Sequence, residues 1–99
     1  MTSVESIGQR IRRERLQRSM TQRELAAAVG VGVPHVSKVE AGRENPSDEL
    51  IARVADVFEC DFEELLLVAR RLPEHFLDQL AVDPKESLRY LRTMNVDDD

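Results

Sequence analysis

Apolar residues recur along this chain at spacings of three and four positions, which is the period of an α-helix. The clearest stripe consists of Leu50, Ile51, Val54, Ala55 and Phe58, which would share one face of a helix. No segment alternates between apolar and polar residues in the way that a half-buried strand does. The pattern therefore predicts an all-α protein.

Capping signals divide this pattern into helices, because side chains must satisfy the unpaired N–H groups of each first turn. The predicted first-turn signals are Thr2 with Glu5, Thr21 with Glu24, Ser47, Asp61 with Glu64, Pro73, and Asp83 with Pro84 and Glu86. Ile7 and Ile11 would then share one face of helix 1. Helix 2 would bury Leu25, Ala26 and Val29.

The stretch from Thr21 to Pro46 is the most informative part of the chain. Gly30 and Gly32 would form a tight turn after helix 2, and helix 3 would run from about Val33 to Glu40. Gly42 stands where a left-handed residue would end that helix. Two short helices joined by a tight turn are one way in which proteins place a helix in the major groove of DNA.

The predicted helices fall into a five-helix module, residues 4–68, and a two-helix extension, residues 70–95. An acidic tail, residues 96–99, is expected to be solvated and disordered. The apolar residues of the extension are Phe76, Leu77 and Leu80, on one side of helix 6, and Leu88, Leu91 and Met94, which we expect to point inward from helix 7. Because no linker rich in Pro, Gly or Ser intervenes, the extension should pack against the module or against a second copy of the chain.

The 99 residues carry a net charge of −5, which is divided unevenly. Residues 1–46 hold eight Lys and Arg against five Asp and Glu, a net +3, whereas residues 47–99 hold six against fourteen, a net −8. The predicted turn between helices 2 and 3 lies in the positive half. One face turned toward phosphate would explain this asymmetry, and so would an ordinary solvated surface.

Several classes of protein are disfavoured by the sequence. No apolar run exceeds the length of Leu65–Ala69, which is far short of the roughly 20 residues of a membrane span. The first fifteen residues lack the apolar segment of a signal peptide. The single cysteine, Cys60, excludes an internal disulfide and fits a reducing cytoplasm, and we interpret it as a core residue.

No set of residues typical of an enzyme, a metal site or a cofactor site stands out. His35 and His75 are far apart in sequence and show no metal-like spacing with Cys60. The sequence Gly30-Val31-Gly32 lacks the third glycine and the preceding strand of a dinucleotide-binding fingerprint. We therefore expect no enzymatic activity, no cofactor and no metal.

A longer pattern surrounds the two glycines. It reads Thr21-Gln22-x-x-Leu25-Ala26-x-x-x-Gly30-Val31, followed by Val36-Ser37-x-x-Glu40-x-Gly42-x-x-x-Pro46. Ile7-Gly8-x-Arg10-Ile11-Arg12 lies upstream and Phe58-x-x-Asp61-x-x-x-Leu65-Leu66 downstream. Over residues 7–66 the chain resembles the Cro/CI-type (XRE) helix-turn-helix family of bacterial and phage regulators. The resemblance implies a five-helix lambda-repressor-like DNA-binding domain, here with a two-helix C-terminal extension, and a cytoplasmic location on bacterial or phage DNA.

The resemblance also implies roles for individual residues. Arg15 and Glu40 match a buried ion pair that ties helix 1 to the end of helix 3, with two separate surface charges as the alternative. The residues that match contacts to base edges are Val33, Pro34, Ser37 and Lys38. Those that match contacts to the DNA backbone are Gln22, His35, Arg43 and Asn45.

The chemistry of these side chains fits the implied roles. Val33 and Pro34 cannot donate a hydrogen bond and would suit thymine methyl groups, whereas Lys38 can donate to O6 and N7 of guanine. The alternatives are that Val33 and Pro34 only begin helix 3 and that Lys38 contacts phosphate alone. For Gln22 and the loop residues the alternative is a solvated polar side chain.

Four residues depart from the usual family pattern. Gly32 stands where a capping Ser or Thr is frequent, and Pro34 removes one N–H from the first turn of helix 3. Ser19 and Glu59 stand where glycine often ends helices 1 and 4. The first two departures bear on the orientation of helix 3.

Two hypotheses about function follow. The first is a sequence-specific, dimeric transcriptional regulator of double-stranded DNA that binds an inverted repeat. It would most simply act as a repressor, with its own promoter as one candidate target. Its dimer interface would use the apolar residues of helices 6 and 7 and would set the recognition helices roughly 34 Å apart. The second is an antitoxin or adaptor whose C-terminal helices bind a toxin, a peptidase or another partner protein. A plain extension of the core remains a further role for these helices.

Overall fold

The computed structural model describes residues 4–94, and within that range the chain forms α-helices and no strand. The helices are α1 (Ile7–Gln17), α2 (Gln22–Val29), α3 (Val33–Glu40), α4 (Asp48–Phe58), α5 (Phe62–Val68), α6 (Glu74–Val82) and α7 (Pro84–Thr93). The prediction of an all-α protein is confirmed. Across the described range the longest helices have 11 residues, so none is long enough to cross a membrane. Thr2 and the acidic tail, 96–99, lie outside the described residues.

Several helices begin where the capping signals predict. Thr21 Oγ1 accepts a hydrogen bond from the N–H of Glu24 at 3.0 Å, and Glu24 Oε1 accepts one from the N–H of Thr21 at 2.8 Å. This reciprocal pair is the predicted capping box of α2. Ser47 caps α4 and Asp83 caps α7 through their side-chain oxygens.

The turn between α2 and α3 uses its two glycines differently. Gly30 ends α2 with a φ of 76°, a left-handed conformation in which a side chain would be strained. Gly32 precedes α3 with extended backbone and offers no side chain to cap it. Helix α3 has the predicted bounds, Val33–Glu40, and Gly42 beyond it is left-handed with a φ of 77°.

The capping box predicted for helix 1 is wrong. The N-cap is Ser6, whose Oγ accepts from the N–H of Gln9 at 3.1 Å, while Gln9 Oε1 accepts from the N–H of Ser6 at 2.9 Å. Glu5, which the sequence pairs with Thr2, instead accepts two hydrogen bonds from Arg13. The later start satisfies two backbone N–H groups and leaves Glu5 with a charged partner.

In two further predicted capping boxes, those of α5 and α7, only the N-cap side chain makes its hydrogen bond. Asp61 caps α5 through the N–H two residues on, at 2.9 Å, but the Glu64 carboxylate lies 3.0 Å from Nη1 of Arg10. Glu86 likewise lies 3.1 Å from Nη1 of Arg89. A guanidinium binds a carboxylate more strongly than a backbone N–H does, which explains both departures.

The hydrophobic core lies among α1 to α5. The buried apolar residues of this cluster are Ile11, Leu25, Ala26, Val29, Val36, Val39, Leu50, Ile51, Val54, Ala55, Phe58, Leu65 and Leu66. They include every predicted core residue of α2 and the whole predicted stripe of α4. Helix α3 contributes only two residues to this cluster, Val36 and Val39, and they hold it against the other helices.

Helix α1 passes very close to the end of α3 at Gly8. A Cβ atom at this position would lie 2.2 Å from the carbonyl oxygen of Val39 and 3.1 Å from that of Glu40. Real Cβ atoms do not approach a backbone oxygen so closely. The absence of a side chain at Gly8 therefore sets the distance between the two helices.

The extension, α6 and α7, contributes no buried residue within the single chain. Leu88, Leu91 and Met94 are 49 %, 44 % and 61 % exposed, so the prediction that they point inward is wrong for one chain. Pro73 is the N-cap of α6 rather than a residue of its first turn, and it is buried. The helix pair packs on itself, and its apolar outer surface is left uncovered because α1 to α5 close their core without it.

Candidate nucleic-acid interface

One side of α3 is buried and the other points away from the protein. Val36 and Val39 pack in the core, whereas other positions of the helix are open to solvent. The exposed residues include all four that the family resemblance assigns to base edges, namely Val33, Pro34, Ser37 and Lys38. Helix α3 therefore presents a mixed apolar and hydrogen-bonding face.

A buried ion pair fixes the end of α3 to α1. Nε of Arg15 lies 2.7 Å from Oε2 of Glu40 and Nη2 lies 2.9 Å from Oε1, a bidentate contact. The two side chains are 9 % and 3 % exposed, so they are not separate surface charges. Hydrogen bonding to Glu40 raises the pKa of Arg15, although burial opposes it, so the guanidinium stays charged.

Gln22, the first residue of α2, joins this ion pair. Its Nε2 donates a hydrogen bond of 3.0 Å to Oε1 of Glu40, and its side chain is half-buried. One carboxylate thus links α1, α2 and α3. This contact braces α3 from the same residue that the resemblance assigns to a DNA phosphate.

The loop after α3 lies beside the first turn of that helix. The N–H of Arg43 donates to the carbonyl of Lys38 at 2.9 Å, which turns the chain back. Arg43 and Asn45 are exposed, and Nδ1 of His35 lies 2.8 Å from Oε2 of Glu44. The structure therefore brings the loop residues assigned to the DNA backbone next to the exposed side of α3.

Two residues at this surface had no role predicted from the sequence. Arg12 lines a shallow polar cleft together with Arg15, Gln22 and Ser37. A signal for it existed, because Arg12 precedes Arg15 by three positions and so lies on the same side of α1. Glu44 gave no signal, since its contact with His35 depends on the path of the loop.

A second charged cluster joins α1 to α5. Nε of Arg10 lies 2.8 Å from Oε2 of Glu14, Nη1 of Arg18 lies 2.6 Å from Oε1 of Glu14, and Arg10 also reaches Glu64. Burial alone would raise the pKa of Glu14, but hydrogen bonds from Arg18 and Arg10 outweigh it and lower that pKa. Cys60 is half-buried against the core, with Sγ 3.8 Å from Nη2 of Arg10.

A short helix held by a tight turn, with its apolar side in the core and its polar side outward, is the arrangement of a helix-turn-helix DNA-binding domain. A sequence model of the family described as helix-turn-helix matches residues 11–65. The chain belongs to this family, in its Cro/CI-type (XRE) branch, as the resemblance implies. It is a helix-turn-helix transcriptional regulator, and the family and fold are those of DNA-binding regulators, which are not enzymes.

Two curated relatives agree with this assignment. An uncharacterised HTH-type transcriptional regulator of Archaeoglobus fulgidus is 41 % identical over 58 residues, a match that covers 59 % of this chain and 83 % of the relative. The HTH-type transcriptional regulator DdrOP3 of Deinococcus deserti is 31 % identical over 84 residues. That match covers 77 % of this chain, and the chain spans 64 % of the length of DdrOP3.

Solved structures of two regulators resemble the fold and confirm it as lambda-repressor-like. The clp gene regulator ClgR from Corynebacterium glutamicum is 27 % identical, with a TM-score of 0.59 and coverage of 92 % of each chain. SinR, a master regulator for biofilm formation, was solved with DNA, and that structure is 33 % identical over 61 % of this chain and 97 % of its own, with a TM-score of 0.56. A separate structure, the complex of SinR with SinI protein, contains a chain that is 26 % identical to this one. The match covers 89 % of this chain and 93 % of the other, with a TM-score of 0.58.

Proposed function

We propose that this regulator binds an inverted-repeat operator in double-stranded DNA as a homodimer and represses transcription by occupying it, its own promoter included. The observation that carries the proposal is the exposed face of α3, which two buried valines and a buried ion pair hold in a fixed orientation. A rigid recognition helix is what sequence-specific readout in the major groove requires.

Within this proposal the residues divide between base edges and backbone. Val33 and Pro34 contact thymine methyl groups, and Ser37 and Lys38 hydrogen-bond to base edges, Lys38 to guanine. The contacts to phosphate come from Gln22, His35, Arg43 and Asn45. Arg12, which lines the cleft with Gln22 and Ser37, is a fifth residue that would contact phosphate. The backbone contacts set the register, and the base contacts supply the specificity.

The proposed division of the chain assigns DNA binding to residues 4–68 and dimerisation to residues 70–95. Its support is the uncovered apolar surface of α6 and α7, which a second copy of the same surface would bury. The proposed interface residues are Phe76, Leu77, Leu80, Leu88, Leu91 and Met94. The match to ClgR covers 92 % of this chain, so likeness to a known regulator is not confined to the first five helices.

Selection of bound sequences from random duplex DNA, with the stoichiometry of the resulting complex, tests the proposal. We expect an enriched inverted repeat bound by two chains, with half-sites about one helical turn apart. A single half-site bound by one chain would refute the dimer. Failure to enrich any sequence, with only weak and salt-sensitive binding, would refute sequence-specific regulation as a whole.

A second candidate function is an antitoxin or adaptor whose extension binds another protein. The uncovered surface of α6 and α7 favours it as well, and SinR, which the chain resembles, forms a complex with SinI protein. A chain ended after residue 70 separates the candidates when it is compared with Leu91→Glu, which keeps the full length. Loss of the dimer in both variants supports dimerisation through the extension. If both dimerise and bind DNA like the full chain, the extension serves a partner protein.

A further inference from the structure

An acidic side chain stands at the proposed DNA interface. Glu44 follows Arg43 in the loop after α3, and its side chain is 43 % exposed. Its Oε2 lies 2.8 Å from Nδ1 of His35, in the first turn of α3. A carboxylate beside DNA repels the phosphates, so an uncompensated Glu44 would weaken binding.

The distance between the two groups fixes where the imidazole carries its proton. An ionised carboxylate only accepts hydrogen bonds, and a bare nitrogen lone pair facing it at 2.8 Å would be repelled. Nδ1 of His35 therefore carries a hydrogen. Neutral imidazole has a single N–H, so in the neutral form Nε2 is a bare acceptor.

A DNA phosphate is also only an acceptor. Nε2 of His35 cannot donate to a phosphate oxygen unless the ring takes up a second proton. The resulting imidazolium would lie between the Glu44 carboxylate and the phosphate and would neutralise part of the repulsion between them. Protonation therefore both creates the contact and removes the penalty.

The other charged groups near this pair are lysine, arginine and carboxylate side chains. Lys38 lies one turn further along α3, and Arg43 adjoins Glu44 in the loop; both are cationic. The turn before α3, residues 30–32, brings no ionisable side chain, and the acidic residues at the start of α4 are paired with arginines of their own. Among these described groups, His35 alone is of a type that changes charge between about pH 8 and pH 6.

We propose that Glu44 positions His35 so that its contact with the DNA backbone requires the doubly protonated ring, which makes operator binding take up one proton per chain. The proposal rests on the proposed function, because it needs α3 to face DNA. It makes Glu44 a positioning residue of the interface. It also makes occupancy of the operator sensitive to pH.

The test is the dissociation constant for the enriched duplex at about pH 6, 7 and 8, at constant ionic strength, by fluorescence anisotropy. We expect the dissociation constant of the full chain, expressed per chain, to be about tenfold lower at the lowest pH than at the highest. His35→Gln should bind with little dependence on pH. Glu44→Gln should bind more tightly than the unsubstituted chain near pH 8, because the amide leaves Nε2 able to carry the single proton.

His75 provides the matched control. Its Nε2 lies 3.2 Å from Oε2 of Glu63, and it belongs to α6 rather than to the interface. His75→Gln should keep the full pH dependence. The ¹⁵N chemical shifts of the His35 imidazole in the complex give an independent readout, and both nitrogens should be protonated.

The outcomes separate this proposal from the proposed function. Specific binding with the same pH dependence in His35→Gln and in the unsubstituted chain, or a neutral His35 in the complex, overturns the inference alone. Loss of the pH dependence in His75→Gln would also overturn it. Absence of specific binding even near pH 6 overturns the proposed function and this inference together.

Discussion

Gly8 shows at the scale of one residue how tightly α1 sits against the end of α3. The closest neighbours of an added Cβ are backbone oxygens of Val39 and Glu40, which cannot rotate away as a flexible side chain would. Any side chain at Gly8 would therefore move one helix relative to the other. The position of the recognition helix depends on this contact as well as on the ion pair beside it.

Replacement of Gly8 by alanine should destabilise the fold by about 1–3 kcal/mol, the usual cost of overpacking a tight contact. Urea denaturation followed by circular dichroism measures the free energy of unfolding. Gly32→Ala is the control, because its backbone is not left-handed and an added Cβ would meet only Pro34 Cδ at an ordinary 3.5 Å. Equal stability of Gly8→Ala and Gly32→Ala would contradict the prediction.

The Arg15–Glu40 ion pair joins α1 to the end of α3. Glu40→Gln should leave the buried Arg15 charge without its counterion and cost about 3–5 kcal/mol. Glu24→Gln is a matched control, because glutamine can also complete the capping box of α2. Thermal or urea unfolding gives both values. A loss below about 1 kcal/mol for Glu40→Gln would show that solvent reaches the pair.

At the scale of the element, α4 ends on a residue that is not suited to its backbone conformation. Glu59 follows the helix with a φ of 56°, in the left-handed region, at a position where glycine often ends this helix in the family. Ser19 after α1 and Arg70 after α5 lie in the same region, with φ of 55° and 62°. Non-glycine residues pay roughly 1–2 kcal/mol to adopt this conformation.

Glu59→Gly should therefore stabilise the protein, by about 1 kcal/mol once the larger entropy of an unfolded glycine is included. The measurement is the midpoint of urea unfolding at constant slope. Asp56→Gly serves as the control, since it places glycine at an exposed position inside the same helix. That variant should not gain stability, and a gain in both would point to an effect on the unfolded chain.

The elements that the sequence predicted well are those whose signals are local. The apolar stripe of α4 and the reciprocal bonds of Thr21 and Glu24 depend on residues within one or two turns. The box at Asp61 failed because Glu64 found Arg10, a partner 54 positions away in sequence. Competition of this kind cannot be read from spacing, and the same holds for the contact of His35 with Glu44.

At the scale of the whole molecule, the net positive charge and the uncovered apolar surface of α6 and α7 lie in different halves of the chain. The half of the chain with a net +3 carries α3 and its loop, and the half with a net −8 carries α6 and α7. Under the proposed function, the positive half supplies the non-specific attraction to phosphate, and the side chains of α3 supply the specificity. The two contributions can be measured separately.

Lys38→Ala should weaken binding to the enriched operator more than binding to random DNA, because a base contact is lost. Arg43→Ala should weaken both to a similar degree and reduce the slope of log affinity against log salt by about one. Titrations on both duplexes at several salt concentrations check the pair of variants, and each serves as the control for the other. Comparable losses on the two duplexes for Lys38→Ala would refute its assignment to a base edge.

The surface of α6 and α7 marks the limit of prediction at this scale. The sequence indicated amphipathic helices, and the helices are present, but Leu88, Leu91 and Met94 face solvent in the single chain. Periodicity shows which side of a helix is apolar. It carries no information on whether the cover comes from the same chain, and for this reason the inward orientation was predicted wrongly.

The closure of the core before α6 has a consequence for engineering. Because the buried cluster ends at Leu66 and the last two helices contribute no buried residue in one chain, they can be exchanged for another helix pair while the first five helices keep their core. A chimera that joins residues 4–73 to an unrelated helix pair would retain Ala69 against the core and the buried Pro73, and it should keep the fold of the first five helices. Under the function proposed above, such an exchange changes which subunits meet on DNA while the sequence that they read stays the same.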